Sequence, residues 1–144
     1  MKEYIEKIES FIKTYNADED AEFETLMYEV ADELTADNIG LECVEPILGL
    51  MEKYPCLSFG SPGPLTHYME KFYKKGYEQL LVQSIKRTPT VHTLWLLNRL
   101  INSADNETVK IYVAMMYEVS QNASNPQEVR DEAKNFYDYK SSLE

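Results

Sequence analysis

Apolar residues recur at steps of three and four along almost the whole chain, and this spacing restricts the fold more than any other feature. Tyr4, Ile5, Ile8, Phe11, Ile12 and Tyr15 form one stripe, and Phe23, Leu26, Met27, Val30, Ala31 and Leu34 form the next. A period near 3.6 belongs to a helix that buries one side. The first stripe predicts a helix over about 2–15 and the second over about 19–35. Between them Asn16-Ala17-Asp18 supplies side-chain acceptors for the open amides of a helix start, and Asn38-Ile39-Gly40 closes the second helix. Leu41, Val44, Ile47, Leu48 and Met51 mark a third helix, in which Pro46 either makes a kink or occupies the first turn.

Tyr54-Pro55 and Gly60-Ser61-Pro62-Gly63-Pro64 form the one stretch rich in proline and glycine. Its prolines fix φ and its glycines permit positive φ, so a shaped loop is expected there, not a flexible linker. Leu65, Tyr68, Met69 and Phe72 then predict a short helix ending near Gly76, and Tyr77, Leu80, Leu81, Ser84 and Ile85 the next. Pro89 disfavours helical geometry at Thr88, and Thr90 or Thr93 is placed to cap a following helix. That helix carries Leu94, Trp95, Leu97, Leu100 and Ile101 on more than one face and should lie at the buried centre. Two further helices follow, one through Val109, Tyr112, Val113, Met116, Tyr117 and Val119, the other from about Pro126 through Val129, Ala133, Phe136 and Tyr137.

No alternating run bounded by a hairpin turn interrupts this pattern, so the expected fold is all-α. Some seven to eight helices joined by short loops imply antiparallel neighbours, packed as a compact bundle or as a HEAT-like array of helix pairs over 22–54, 64–86 and 90–121. At 144 residues the expectation is a single domain spanning 1–144.

Charge narrows the choice of partner. The net charge is −11, and the 39 residues between Lys13 and Lys53 hold 12 acids and no lysine or arginine. These acids are Asp18, Glu19, Asp20, Glu22, Glu24, Glu29, Asp32, Glu33, Asp37, Glu42, Glu45 and Glu52. Such a field repels nucleic acid and anionic lipid and accelerates encounter with a basic protein. Asp18, Asp20, Glu22, Glu24, Glu29, Asp32, Glu33, Asp37, Glu42 and Glu45 are therefore the candidate partner-binding residues. Tyr28 joins them as an aromatic anchor, with Tyr15, Tyr54 and Tyr68 as further candidates near the acidic half. An acidic run also solvates a helix face, and tyrosines also line cores, so the segment admits a purely structural role.

The residues give no footing for catalysis. Phosphate-binding glycine loops, the two-histidine zinc motif and the nucleophile elbow are all absent. Asn16, Asp18 and Asp20 have calcium-loop spacing, but Ala21 stands where glycine is needed and Met27 where a bidentate acid belongs. His67 and His92 each open a helix, where capping or surface hydrogen bonding outranks general-base work, and the acids Glu29, Asp32 and Glu33 on one helix are better read as solvated. Cys43 and Cys56 are too few for a zinc site and read as reduced thiols. No metal, cofactor or catalytic residue is expected. The charged opening Met1-Lys2-Glu3-Tyr4 and the lack of an apolar run of membrane-spanning length give the expectation of a cytoplasmic protein.

Three segments carry a resemblance: Ser61-Pro62-Gly63-Pro64-Leu65-Thr66-His67-Tyr68, Ser84-Ile85-Lys86-Arg87-Thr88-Pro89-Thr90 and Leu96-Leu97-Asn98-Arg99-Leu100-Ile101-Asn102. Together they resemble small all-helical immunity proteins of bacterial polymorphic toxin systems, including contact-dependent growth inhibition. The resemblance implies a cytoplasmic antitoxin, encoded beside its toxin, that covers the toxin's active site or substrate surface. Many such toxins are basic nucleases, which suits the acidic block. No functional residue carries over, because antitoxin surfaces diverge with their toxins, and the shared segments read as scaffold. A helical-repeat adaptor that binds a peptide or domain without inhibiting it is the alternative reading.

Overall fold

The computed structural model describes residues 1–142 and is all-α, with eight α-helices, two short 3-10 turns and no strand among those residues. Two compact units divide the chain, a first of Met1–Leu80 and a second beginning at Leu81. The first contains α1 (Lys2–Lys13), α2 (Asp20–Ala36), α3 (Val44–Lys53) and α4 (Pro64–Glu70). Helix α5 (Tyr77–Arg87) leads into the second, which holds α6 (Val91–Ile101), α7 (Asn106–Gln121) and α8 (Gln127–Ser142).

In the first unit α2 packs against α1 and α4, and α1 also packs against α3. Phe23 of α2 is the hub: its ring stacks on Phe11 at 5.7 Å, tilts against Tyr15 at 5.6 Å and meets Phe59 of the central loop edge-on at 6.1 Å. Met27, Val30 and Leu34 continue that buried line along α2, and Val44, Ile47, Leu48 and Met51 of α3 are buried as well. Burial of side chains of this size stabilises by about 1.5–3 kcal/mol each. Of the stripe on α1 only Ile8 is fully buried. The helix is fastened at its edges by polar contacts, Lys7 to Glu33 at 2.6 Å, Lys53 and Tyr54 to Glu9 at 2.8 and 2.9 Å, and Tyr4 to Asp37.

The 3-10 turn Ala17–Glu19 that leads into α2 starts where Asn16 accepts from the Asp18 amide, and α2 ends in a Schellman motif. There Asn38 takes φ 52°, its amide bonds the Thr35 carbonyl, and the Ile39 amide bonds the Leu34 carbonyl. The buried hydroxyl of Tyr68, on α4, is shared between the carbonyls of Leu34 and Ile39, locking α4 to this helix end. Replacing Tyr68 by phenylalanine should cost about 1–3 kcal/mol, because the Ile39 carbonyl loses the hydroxyl and the Leu34 carbonyl keeps only the Ile39 amide, while the ring packing remains. Urea titration of the wild type and Y68F measures it.

Helix α4 stops at Glu70, six residues short of the expected end near Gly76. Successive amides from Lys71 to Tyr73 bond carbonyls three residues back, Lys74 adopts φ 62°, and its amide donates at 2.9 Å to both carboxylate oxygens of Glu78 in the first turn of α5. Phe72 thus lies in a turn, its ring edge-on to Tyr68 at 5.9 Å. Pro46 sits in the first turn of α3 after the 3-10 turn Leu41–Cys43, where its missing amide costs nothing.

In the second unit α7 and α8 form an antiparallel hairpin, and α6 packs on both. The Arg130 guanidinium donates to the Ser120 carbonyl across the hairpin, and Lys140 donates to Asn102 at the end of α6. Thr90 and Thr93 both serve as the cap, each side chain bonding the other's amide at 3.0 Å. Leu94, Leu96, Leu97 and Leu100 of α6 are buried, while Trp95 is half-buried with its ring perpendicular to His92 at 6.0 Å. Burial beside this helix start lowers the His92 imidazole to about 4. Between pH 6.5 and 4 the unfolded chain therefore binds a proton that the folded one does not, and stability falls as pH falls, by about 1.4 kcal/mol per unit. H92Q should remove that slope from the unfolding free energy measured from pH 7 to 4.5.

Candidate protein-binding surface

The charge asymmetry lies in the first unit. Its sequence carries 17 acids against seven bases, net −10, while the remainder of the chain carries eight against seven. Helix α2 arranges half of the block. Its turns bury Phe23, Met27, Val30 and Leu34 along one line, so at about 100° per residue every acid between them is thrown onto the exposed circumference.

The acids do not share one face. Tyr28 stands on the outward side with half its surface exposed, flanked by Glu24 one turn before and Asp32 one turn after. Glu22, Glu29 and Glu33 follow the flank nearer α1, with Asp37 just past the helix end. Asp20 opens the helix and Asp18 lies in the 3-10 turn before it, where both favour the positive end of the helix dipole. Glu42 precedes α3 and Glu45 lies in its first turn. Of the eleven acids from Asp18 to Glu45, Glu33 alone makes an ion pair among the described residues, with Lys7. Asp37 accepts from Tyr4, whose phenol is pushed up to about 12 by that hydrogen bond, and Glu19 accepts from Asn16. Glu33 and Asp37 therefore hold α1, while Asp18, Asp20, Glu22, Glu24, Glu29, Asp32, Glu42 and Glu45 are exposed.

The tyrosine candidates separate in the same way. Tyr68 is buried, Tyr54 bonds Glu9, and Tyr15 packs on Phe11 and Phe23. Tyr28 alone of the four presents its ring to solvent.

Two grooves accompany the exposed acids. One, of about 430 Å³, has Phe11, Ala21, Thr25 and Leu26 as floor and Glu22 and Glu29 at its margin. The other, of about 490 Å³, is formed by Leu41, Pro46 and Leu80 beside Glu42 and Glu45. Sequence reasoning found the carboxylates and missed the floors. Leu26 sits in the apolar stripe by period, yet at about 70° from the buried line it falls at the edge and stays half-exposed. That offset was the available signal.

Among the described residues no three His, Cys, Asp or Glu side chains converge as a metal site, and no helix is long and apolar enough to cross a membrane. His67 is exposed, 3.3 Å from Glu70, and Cys43 is buried with its thiol pushed up to about 11 by desolvation. No family model, curated protein or solved structure matches the chain.

Proposed function

We propose that this chain is an immunity protein that binds a basic toxin domain, a nuclease by preference, and covers its active site in the cytoplasm. The observation that carries the reading is the run of acids from Asp18 to Glu45, of which only Glu33 is ion-paired among the described residues: eight exposed carboxylates there face solvent and can meet an external cation. Carboxylates spaced along a helix oppose the lysines and arginines that a nuclease sets against phosphates. Tyr28, between Glu24 and Asp32, supplies an aromatic anchor amid those charges. The resemblance of the central segments to immunity proteins supports the same reading, and those segments serve here as scaffold around Tyr68 and α6.

The test is to mix the chain with the purified product of its neighbouring gene. A one-to-one complex is expected, with an association rate falling steeply as salt rises. Salt-insensitive binding to an acidic product, or no complex, contradicts the reading. A stable complex that leaves the partner's activity intact points instead to an adaptor.

A further inference from the structure

Resting on the reading of a basic partner, we infer that the groove between α1 and α2 receives an amphipathic helix of that partner. The helix would carry two lysines or arginines seven residues apart and one large apolar side chain between them. Phe11, Ala21 and Leu26 make an apolar floor, and Glu22 and Glu29 flank it. These two acids lie two turns apart on α2, a rise of about 10.5 Å. A facing helix has the same rise, so its residues i and i+7 meet both carboxylates from one face, and position i+3 or i+4 enters the groove between them. An extended segment covers about 10 Å in three residues, but its side chains alternate and the two cations would point opposite ways.

The same seam already contains this arrangement in miniature. Helix α1 presents Lys7 to Glu33 at 2.6 Å and Phe11, one turn on, to the groove. Beyond that point α1 offers no cation to the seam: Lys13 stands four residues after Glu9 and shares that residue's side of the helix. Neither Glu22 nor Glu29 forms an ion pair among the described residues. The partner helix continues the ladder that Lys7 begins, at a place where charge complementarity and an apolar seat coincide.

A synthetic alanine-based helical peptide with lysines at i and i+7 and leucine at i+4 serves as the probe, titrated into the full chain at low salt. Amide shift changes should centre on Phe11, Thr25 and Leu26. E22K/E29K should weaken binding at least about tenfold, whereas E24K/D32K, the same change in charge off the groove, should weaken it less than about threefold. E22Q/E29Q repeats the comparison if the reversed variant misfolds, with circular dichroism as the check. Equal weakening by both pairs, or equal binding of a peptide with its lysine spacing scrambled, overturns the groove and leaves a basic partner standing. No binding of either cationic peptide overturns both.

Discussion

Alanine in place of Gly63 should destabilise the first unit by at least about 3 kcal/mol, more than alanine at any of the other four glycines. Gly63 adopts φ 94° and ψ 164°, a region that only glycine enters without strain. A Cβ there would stand 1.8 Å from the Phe59 carbonyl oxygen and 2.9 Å from its carbon, and backbone atoms cannot swing aside as a side-chain tip does. Nor can the loop open freely. Phe59 is buried and edge-on to Phe23, and Pro64 begins α4, which is tied to the end of α2 through Tyr68. A shift at Gly63 thus reaches both α2 and α4. Each kcal/mol lowers the melting temperature of a unit of this size by about 4–8 °C, so a drop beyond about 12 °C is expected by calorimetry. Gly49 is the matched control. It lies inside α3, and a Cβ there meets nothing within 4 Å. G49A should therefore stabilise by about 0.5–1 kcal/mol, the ordinary gain of alanine over glycine in a helix.

Neutralising Glu22, Glu24, Glu29 and Asp32 together should lower the association rate with the cognate partner by about 10–100-fold at low salt. These four are exposed and hold no other element in place, so folding stability should move by only tenths of a kcal/mol. The loss should shrink toward unity near 0.5 M salt, where screening acts over only about 4–5 Å. Y28A is expected to act differently, raising the dissociation rate about 30-fold with little change in association, as for a buried aromatic anchor worth about 2 kcal/mol. Stopped-flow association across a salt series, with dissociation by surface plasmon resonance, separates the two effects. An unchanged association rate in the fourfold variant would show that the field of α2 is not what the partner meets.

Much of the fold was legible because local signals and tertiary packing agree. The period set α1 to α3 and α5 to α8, Asn38 marked the end of α2 by its tolerance of positive φ, and Thr90 and Thr93 announced the cap of α6. The end of α4 was not legible. It depends on Glu78 capturing the Lys74 amide, and no apolar period encodes that contact. The candidate surface was legible as composition and not as geometry. Nothing in the order of residues says that Lys7 returns to Glu33, that Tyr4 takes Asp37, or that Tyr54 turns to Glu9 while Tyr28 faces outward. Those assignments depend on α1 folding back over residues more than 25 positions away.

Neutralisation of a basic toxin by the acidic block of the first unit is the central proposal. Growth of cells co-expressing the neighbouring toxin with this chain tests it most directly. Wild type should restore growth, while the variant neutral at Glu22, Glu24, Glu29 and Asp32 should fail to do so although its melting temperature is unchanged. Equal protection by that variant, or no protection by a folded wild type that still binds the toxin, would contradict the claim.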